Sequence, residues 1–250
     1  KLLYQISEAL LQRGHEVTIY TSDLKFSQDF ADSLHGAMVH PFHLRFHLPT
    51  LYVTPSIIRE ARRKLKDFDI IHLHCLRSFQ NTVLHHYARK YRVPYVLDAH
   101  GSTLRRVGGK GGFKWLLRWS FDAIFGYNIL KDASKVIAET EVGVSEYREL
   151  GVDEDRIVRI SPPIDIRQFS KLPPHGDFRS KYGIGEKRII LFLGRLNWIK
   201  GIDFLVESFY ELTKLRNDVI LVLVGPDDGY KSTLEKLIDK LGLSDRVVFT

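Results

Sequence analysis

Apolar residues recur along this chain with two different spacings. Leu3, Ile6 and Leu10 lie on one face of a helix that Gly14 closes, and Ile57, Ala61 and Leu65 do the same in the basic segment 56–66. Short apolar runs read as buried strands at residues 15–21, 69–74, 94–99, 135–138, 156–160, 188–193, 219–224 and 246–250. Between them the helical spacing predicts helices over 78–92, 113–132, 141–150, 203–216 and 230–241. Residues 22–54 read as irregular, with a short strand near 37–43. Pro162, Pro163, Pro173 and Pro174, with Gly176 and Gly183, break the alternation and mark a linker over 161–185. Strand and helix alternate on both sides of it. That pattern predicts the α/β class and two Rossmann-like, doubly wound domains, residues 1–165 and 166–250.

Composition narrows the function classes. The chain has 250 residues, 44% hydrophobic and 27% charged, as in a globular protein. No apolar run approaches the ~20 residues that span a bilayer, and no secretory signal is visible, so a cytoplasmic location is expected. Cys75 is the single cysteine, which rules out an internal disulfide. The sequence opens inside an amphipathic helix without an initiator Met and closes on a strand, so truncation at both ends is expected. Charge is uneven. Residues 37–131 hold 16 Lys/Arg against 5 Asp/Glu and eight of the 11 His. An anionic partner is expected there: a membrane surface (with peripheral attachment to the inner face), a phosphorylated acceptor or nucleic acid. Nucleic acid is set aside because no recognition motif for it is present.

The stretch with most chemistry is GRLNWIKGID, residues 194–203. Gly194 leaves the preceding strand in a turn, Arg195 and Lys200 lie in the loop, and Gly201 and Asp203 open a helix with Asp203 as side-chain cap. Two cations at a helix N-terminus suit a diphosphate, although basic surface loops are common. Ligands in open α/β sheets lie beyond the carboxyl ends of the strands. His72 and His74 share a face at one such end, His100 with Gly101 follows the next strand, and Ser145 and Glu146 lie in the helix after 135–138. A metal is not expected at the His-x-His pair, since no third ligand is spaced near it. Asp227 and Asp228 beside Gly229 read as turn residues.

Taken in order, RGHEVTIYTSD, DIIHLH, YVLDAHGS, VIAETEVGVSEYRELGV, IVRISPPIDIRQF, LGRLNWIKGIDFLVESF and LVLVGPDDGY resemble the group 1 family of retaining, nucleotide-sugar-dependent glycosyltransferases. The resemblance implies a GT-B fold, with two Rossmann-like domains facing across a cleft, both incomplete in this chain. It implies that Gly194, Arg195 and Lys200 hold the donor diphosphate and that His100 acts beside the donor sugar. His72, His74, Gly101, Ser145, Glu146, Asp165 and Gly225 become residues expected to line the cleft. No cofactor or metal is expected, the two cations taking the place of Mg²⁺. The N-terminal domain would bind the acceptor, a glycan or lipid-linked molecule of cell-surface polysaccharide or glycolipid synthesis, and the C-terminal domain the donor. Two departures stand out. Pro162 and Pro163 replace the family's Asn-Gly before Ile164 and Asp165. The family's acidic E-x7-E pair and its first Gly-rich loop fall outside residues 1–250, so little activity is expected of this stretch alone.

The segment 105–121 carries five cations, no acid, Trp115 and Trp119. Aromatic residues at i,i+4 are expected to pack on the sheet, and the glycines of 108–112 to form an acceptor loop. The rival reading of the whole chain is a non-catalytic GT-B-like module that binds membrane or a protein partner.

Overall fold

The computed structural model describes residues 2–48, 51–101, 113–174 and 176–250. The chain divides into two compact units, Lys1–Ile166 and Arg167–Thr250. Unit 1 begins with α1 (Leu2–Leu11), β1 (Thr18–Ser22), α2 (Gln28–Asp32), β2 (Met38–Phe42), β3 (Phe46–Leu48) and β4 (Leu51–Val53). Then follow α3 (Ser56–Lys64), β5 (Ile71–His74), α4 (Phe79–Tyr91), β6 (Tyr95–Asp98) and α5 (Phe113–Phe121). A π turn (Asp122–Gly126), α6 (Tyr127–Lys131), β7 (Lys135–Ala138), α7 (Glu141–Glu149) and β8 (Ile157–Arg159) complete it. Strands β5, β6, β7 and β8 lie side by side in chain order, all parallel. Strands β1 and β2 form a parallel pair.

Alternation places Ile71 and Leu73, then Tyr95 and Leu97, on the buried face of this sheet, with Val136 and Ala138 continuing it. Ile57 and Ala61 of α3 and Ala88 of α4 close over them. Each buried Ile, Leu or Val side chain among them contributes about 1.5–3 kcal/mol, and each Ala about 1 kcal/mol or less. Helix α4 starts where the Ser78 hydroxyl accepts from Asn81 N at 3.0 Å. It ends on Arg92 in a left-handed conformation, φ 58°. The region 22–54, expected to be irregular beyond one strand, also contains α2 and the antiparallel hairpin β3–β4. Strands of three residues are too short to show a period in sequence.

Unit 2 is α8 (Asp177–Lys181), β9 (Arg188–Leu193), α9 (Ile202–Thr213), β10 (Val219–Val224), α10 (Lys231–Lys240) and β11 (Val247–Phe249). The parallel sheet runs β9, β10, β11, and five of the six residues of central β10 are buried. Val206 and Phe209 of α9 and Leu234 and Ile238 of α10 pack on it. The segment 161–185, expected to be a linker, holds α8, and its Ile184 is buried against Ile220 and Val222. Among the described residues no helix is long and apolar enough to cross a membrane.

Candidate functional site

Register decides what meets at the carboxyl ends of the sheet in unit 1. His74 pairs with Asp98, and Asp98 with Ile137, so β5, β6 and β7 end side by side. His100 follows β6 with φ 48°, a left-handed conformation that a side chain with Cβ adopts at a cost of about 1–2 kcal/mol. The Asp98 carboxylate holds it there, accepting from His100 N at 3.1 Å. Tyr147 of α7 braces the same loop: its hydroxyl accepts from Ala99 N at 3.3 Å and donates to Ile137 O at 3.2 Å. Gly101 continues the turn with φ 69°. Cys75, after β5, is also left-handed, φ 63°. It is tied by its N–H to Asp98 O at 2.8 Å and by Asn81 Nδ2 to its own carbonyl. Two of the four left-handed non-glycine residues among the described residues, Cys75 and His100, thus lie where adjacent strands end, the others being Lys25 and Arg92.

These turns aim the side chains at one another. His100 Nδ1 lies 2.8 Å from Glu139 Oε1 and 3.2 Å from Asp98 Oδ1. His100 Nε2 lies 2.8 Å from His74 Nδ1. The two rings are within 9° of parallel with centroids 5.1 Å apart. A nitrogen–nitrogen contact that short at that centroid distance means that the rings meet edge to edge in one plane. His72 also lies against His74, ring centroids 4.1 Å apart. Burial is the main cause that holds His72 and His74 below the usual imidazole range, His74 down to about 3. Burial likewise pushes the Asp98 carboxyl up.

A cavity of about 190 Å³ opens beside this group, lined among others by Asp98, His100, Gly101, Glu139 and Glu146. The larger cavity of about 590 Å³ in unit 1 is lined by Lys131, Asp132 and Arg156, ahead of β7 and β8 and so at the amino ends of the strands. Ligands of open α/β sheets bind at the other end. Asp98, His100 and Glu139 bring three potential ligand atoms within 4.8 Å of one another, close enough to hold a cation. A proton on Nδ1 accounts for the same contacts.

In unit 2 the loops after β9 and β10 are joined. Gly194 N donates to Val224 O, Leu196 N to Pro226 O and Asp228 N to Leu196 O, at 2.9, 2.9 and 3.1 Å. Leu196 is buried beneath them. The Asn197 side chain caps the single turn Trp198–Lys200, and Gly201, φ 62°, starts α9. The Arg195 guanidinium donates to Asp228 Oδ2 at 2.6 Å, and Asn197 Nδ2 reaches the same oxygen at 3.0 Å. Lys200 is exposed at the end of the turn. The loop therefore presents two cations and a helix start without a side-chain cap.

Several expectations change. Gly194 bends the chain off β9 without a positive φ, which falls at Gly201 and at Gly225, φ 145°. Asp203 is no cap; it lies in the first turn of α9 and bonds the Tyr230 hydroxyl. Asp227 is a turn residue that accepts from three backbone N–H groups, whereas Asp228 is the partner of Arg195. Ser145 is exposed and bonded to Glu141 O within its own helix, so it takes no part in the strand-end group. Asp165 is half-buried beyond β8. Trp119, expected to pack on the sheet, is 51% exposed. The side chain of Trp115 and the loop 108–112 lie outside the described residues. Sequence reasoning missed Glu139, Asp98, Tyr147 and Asn81. Glu139 carried a readable signal, since it is the first residue after the apolar run 135–138.

The sequence profile of Glycosyltransferase Family 4 matches residues 1–168, and that of Glycosyl transferases group 1 matches residues 176–250. The chain belongs to the group 1 glycosyltransferases. An uncharacterized glycosyltransferase of Methanocaldococcus jannaschii is 26% identical over 98% of this chain and 63% of its own length. A GDP-mannose-dependent phosphatidylinositol monomannoside mannosyltransferase of Mycolicibacterium smegmatis is 25% identical over 96% of this chain and 60% of its own. Among solved structures, Anabaena HepE in complex with UDP-glucose superposes with a TM-score of 0.71 at 21% identity, over 100% of this chain and 64% of HepE. WaaG, a glycosyltransferase of lipopolysaccharide biosynthesis, gives 0.68 at 19%, over 100% of this chain and 65% of its own. The fold of this glycosyltransferase is GT-B. The chain spans about three-fifths of the length of these relatives.

Proposed function

We propose that the protein transfers a sugar from a nucleoside diphosphate sugar to an acceptor hydroxyl with retention of anomeric configuration. Arg195 and Lys200 are the residues assigned to the donor diphosphate. The observation that carries this is the loop after β9, which brings Arg195 and exposed Lys200 to the start of α9, a helix without a side-chain cap. The Arg195 guanidinium is held there by Asp228 at 2.6 Å, a partner the diphosphate would have to displace or share. HepE, with a similar fold, is described in complex with UDP-glucose, which supports a donor of that class.

The chemistry follows from where charge develops. Breaking the bond between the anomeric carbon and the phosphate oxygen leaves negative charge on the diphosphate and positive charge on the ring. Fixed cations at the diphosphate favour that state over the ground state, in the role a metal would otherwise fill. His100, assigned to the sugar side, acts by orientation, since its backbone and both ring nitrogens are already held. The acceptor proposed is a lipid-linked or cell-surface glycan. The cation excess of residues 37–131 supports attachment to an anionic membrane, as do exposed Leu116, Trp119, Ile124 and Phe125 around Arg118. The same face would serve a non-catalytic membrane-binding module, which turnover by the whole protein distinguishes.

Calorimetric titration of the full-length protein with UDP-glucose and GDP-mannose tests the donor assignment. Arg195→Ala and Lys200→Ala should each weaken binding of the accepted donor tenfold or more. Unchanged affinity in both variants would remove these residues from the donor site.

A further inference from the structure

We propose that Glu139 is a positioning residue that fixes the proton of His100 on Nδ1 and, through His100, fixes the proton of His74 on its own Nδ1. The inference rests on the assignment of His100 to the donor sugar and adds what holds that ring in place.

The argument is one of donors and acceptors. An ionised carboxylate only accepts hydrogen bonds. Two carboxylate oxygens approach His100 Nδ1, at 2.8 Å from Glu139 and 3.2 Å from Asp98, so the proton of that ring belongs on Nδ1. In the singly protonated ring Nε2 then carries a lone pair, whereas a doubly protonated ring would donate to His74 and break the line. The 2.8 Å contact from His74 Nδ1 to that lone pair requires a donor, so the His74 proton also lies on Nδ1. The coplanar, edge-to-edge rings give this N–H···N bond its best alignment. Donation therefore runs one way, from His74 to His100 to Glu139. His74 ends the line with Nε2 as a bare acceptor that makes no hydrogen bond among the described residues.

Glu139 is the member of the line that can be removed cleanly. Asp98 also accepts from His100 N and shapes the left-handed turn, so its loss alters the backbone. Glu139 touches His100 through its side chain alone, and its side chain is 27% exposed. Without it, Asp98 alone faces Nδ1, at the longer distance of 3.2 Å and through Oδ1, an oxygen that already accepts from His100 N. His100 is then able to carry its proton on Nε2 and donate to His74, which reverses the line and strips His74 Nε2 of its lone pair.

The test is ¹⁵N NMR of the histidine-labelled chain at pH 7, with Glu139→Ala and Glu139→Asp, each variant first shown to melt as the parent does. The parent should show both His74 and His100 as neutral Nδ1–H tautomers. Glu139→Ala should move His100 toward Nε2–H, and Glu139→Asp should restore most of the parental pattern. Parental tautomers in Glu139→Ala would overturn the proposal. So would a stoichiometric shift of the His100 signals on adding Mn²⁺ or Zn²⁺, which would place an ion where the proton is assigned. In the full-length enzyme, Glu139→Ala should lower kcat about tenfold with donor KM within twofold. A tautomer change that leaves turnover untouched would sustain the hydrogen-bond line and remove His100 from the donor site.

Discussion

A Cβ placed on Gly225 would lie 2.0 Å from the carbonyl oxygen of Gly194 and 2.7 Å from its carbon. The obstacle is backbone, and φ at Gly225 is 145°, so neither shift nor rotamer relieves it. Gly225→Ala should separate the loops after β9 and β10 and destabilise unit 2 by about 3 kcal/mol. Gly194→Ala meets only the far edge of the Phe192 ring, at 3.3 Å, and should cost less than about 1 kcal/mol. Thermal melts of the two variants side by side check this: equal losses would show that the close approach is not the constraint.

Arg77 and Asp122 form a two-pronged pair at 2.8 and 2.7 Å, with side chains 11% and 5% exposed. It ties the segment after β5 to the π turn behind α5. Gly126 leaves room for that carboxylate, since a Cβ there would meet Asp122 Oδ1 at 2.9 Å. Removing the Asp122 carboxylate takes both of these bonds from the buried Arg77 guanidinium, so Asp122→Ala should cost about 3–5 kcal/mol in urea unfolding. A loss below 1 kcal/mol would show that water reaches the pair.

Much of this was legible in the sequence, and the failures share a cause. The run Ile189–Leu193 and the alternation in DIIHLH report local environment, so β9 and the shared face of His72 and His74 could be read directly. The partners of His100 and Arg195 could not. Glu139 lies 39 residues from His100, and Asp228 lies 33 residues from Arg195. Strand register and the joined loops bring them together, and no local period encodes either. Asp228 beside Asp227 and Gly229 has the composition of a turn, which hid its ion pair. Trp119 failed for another reason: spacing defines a helix face without saying whether anything covers it.

His74 supplies a pH dependence. Its folded value, about 3, lies below the ordinary ~6.5 of an unfolded histidine, and His72 shifts the same way. Between those values the unfolded chain binds more protons than the folded one, so stability is complete above pH ~6.5 and falls as pH drops toward 3. Urea midpoints at pH 7 and pH 5 should show the loss, and His74→Gln should flatten the slope. An identical slope in that variant would place the acid sensitivity elsewhere.

The exposed apolar positions near Arg118 predict salt-dependent attachment to anionic vesicles. Co-sedimentation of the full-length protein with phosphatidylglycerol vesicles should fall when Trp119 and Phe125 are both changed to Ser, and fall again at 0.5 M salt. Binding insensitive to both would exclude this face.

The most direct measurement is transfer by the full-length protein from a panel of nucleoside diphosphate sugars, read as nucleoside diphosphate release and as the anomeric configuration of the product by NMR. The account predicts turnover with one donor class, a product that keeps the donor's anomeric configuration, and a hundredfold or greater loss in Lys200→Ala. An inverted product, or full activity in Lys200→Ala, would contradict it.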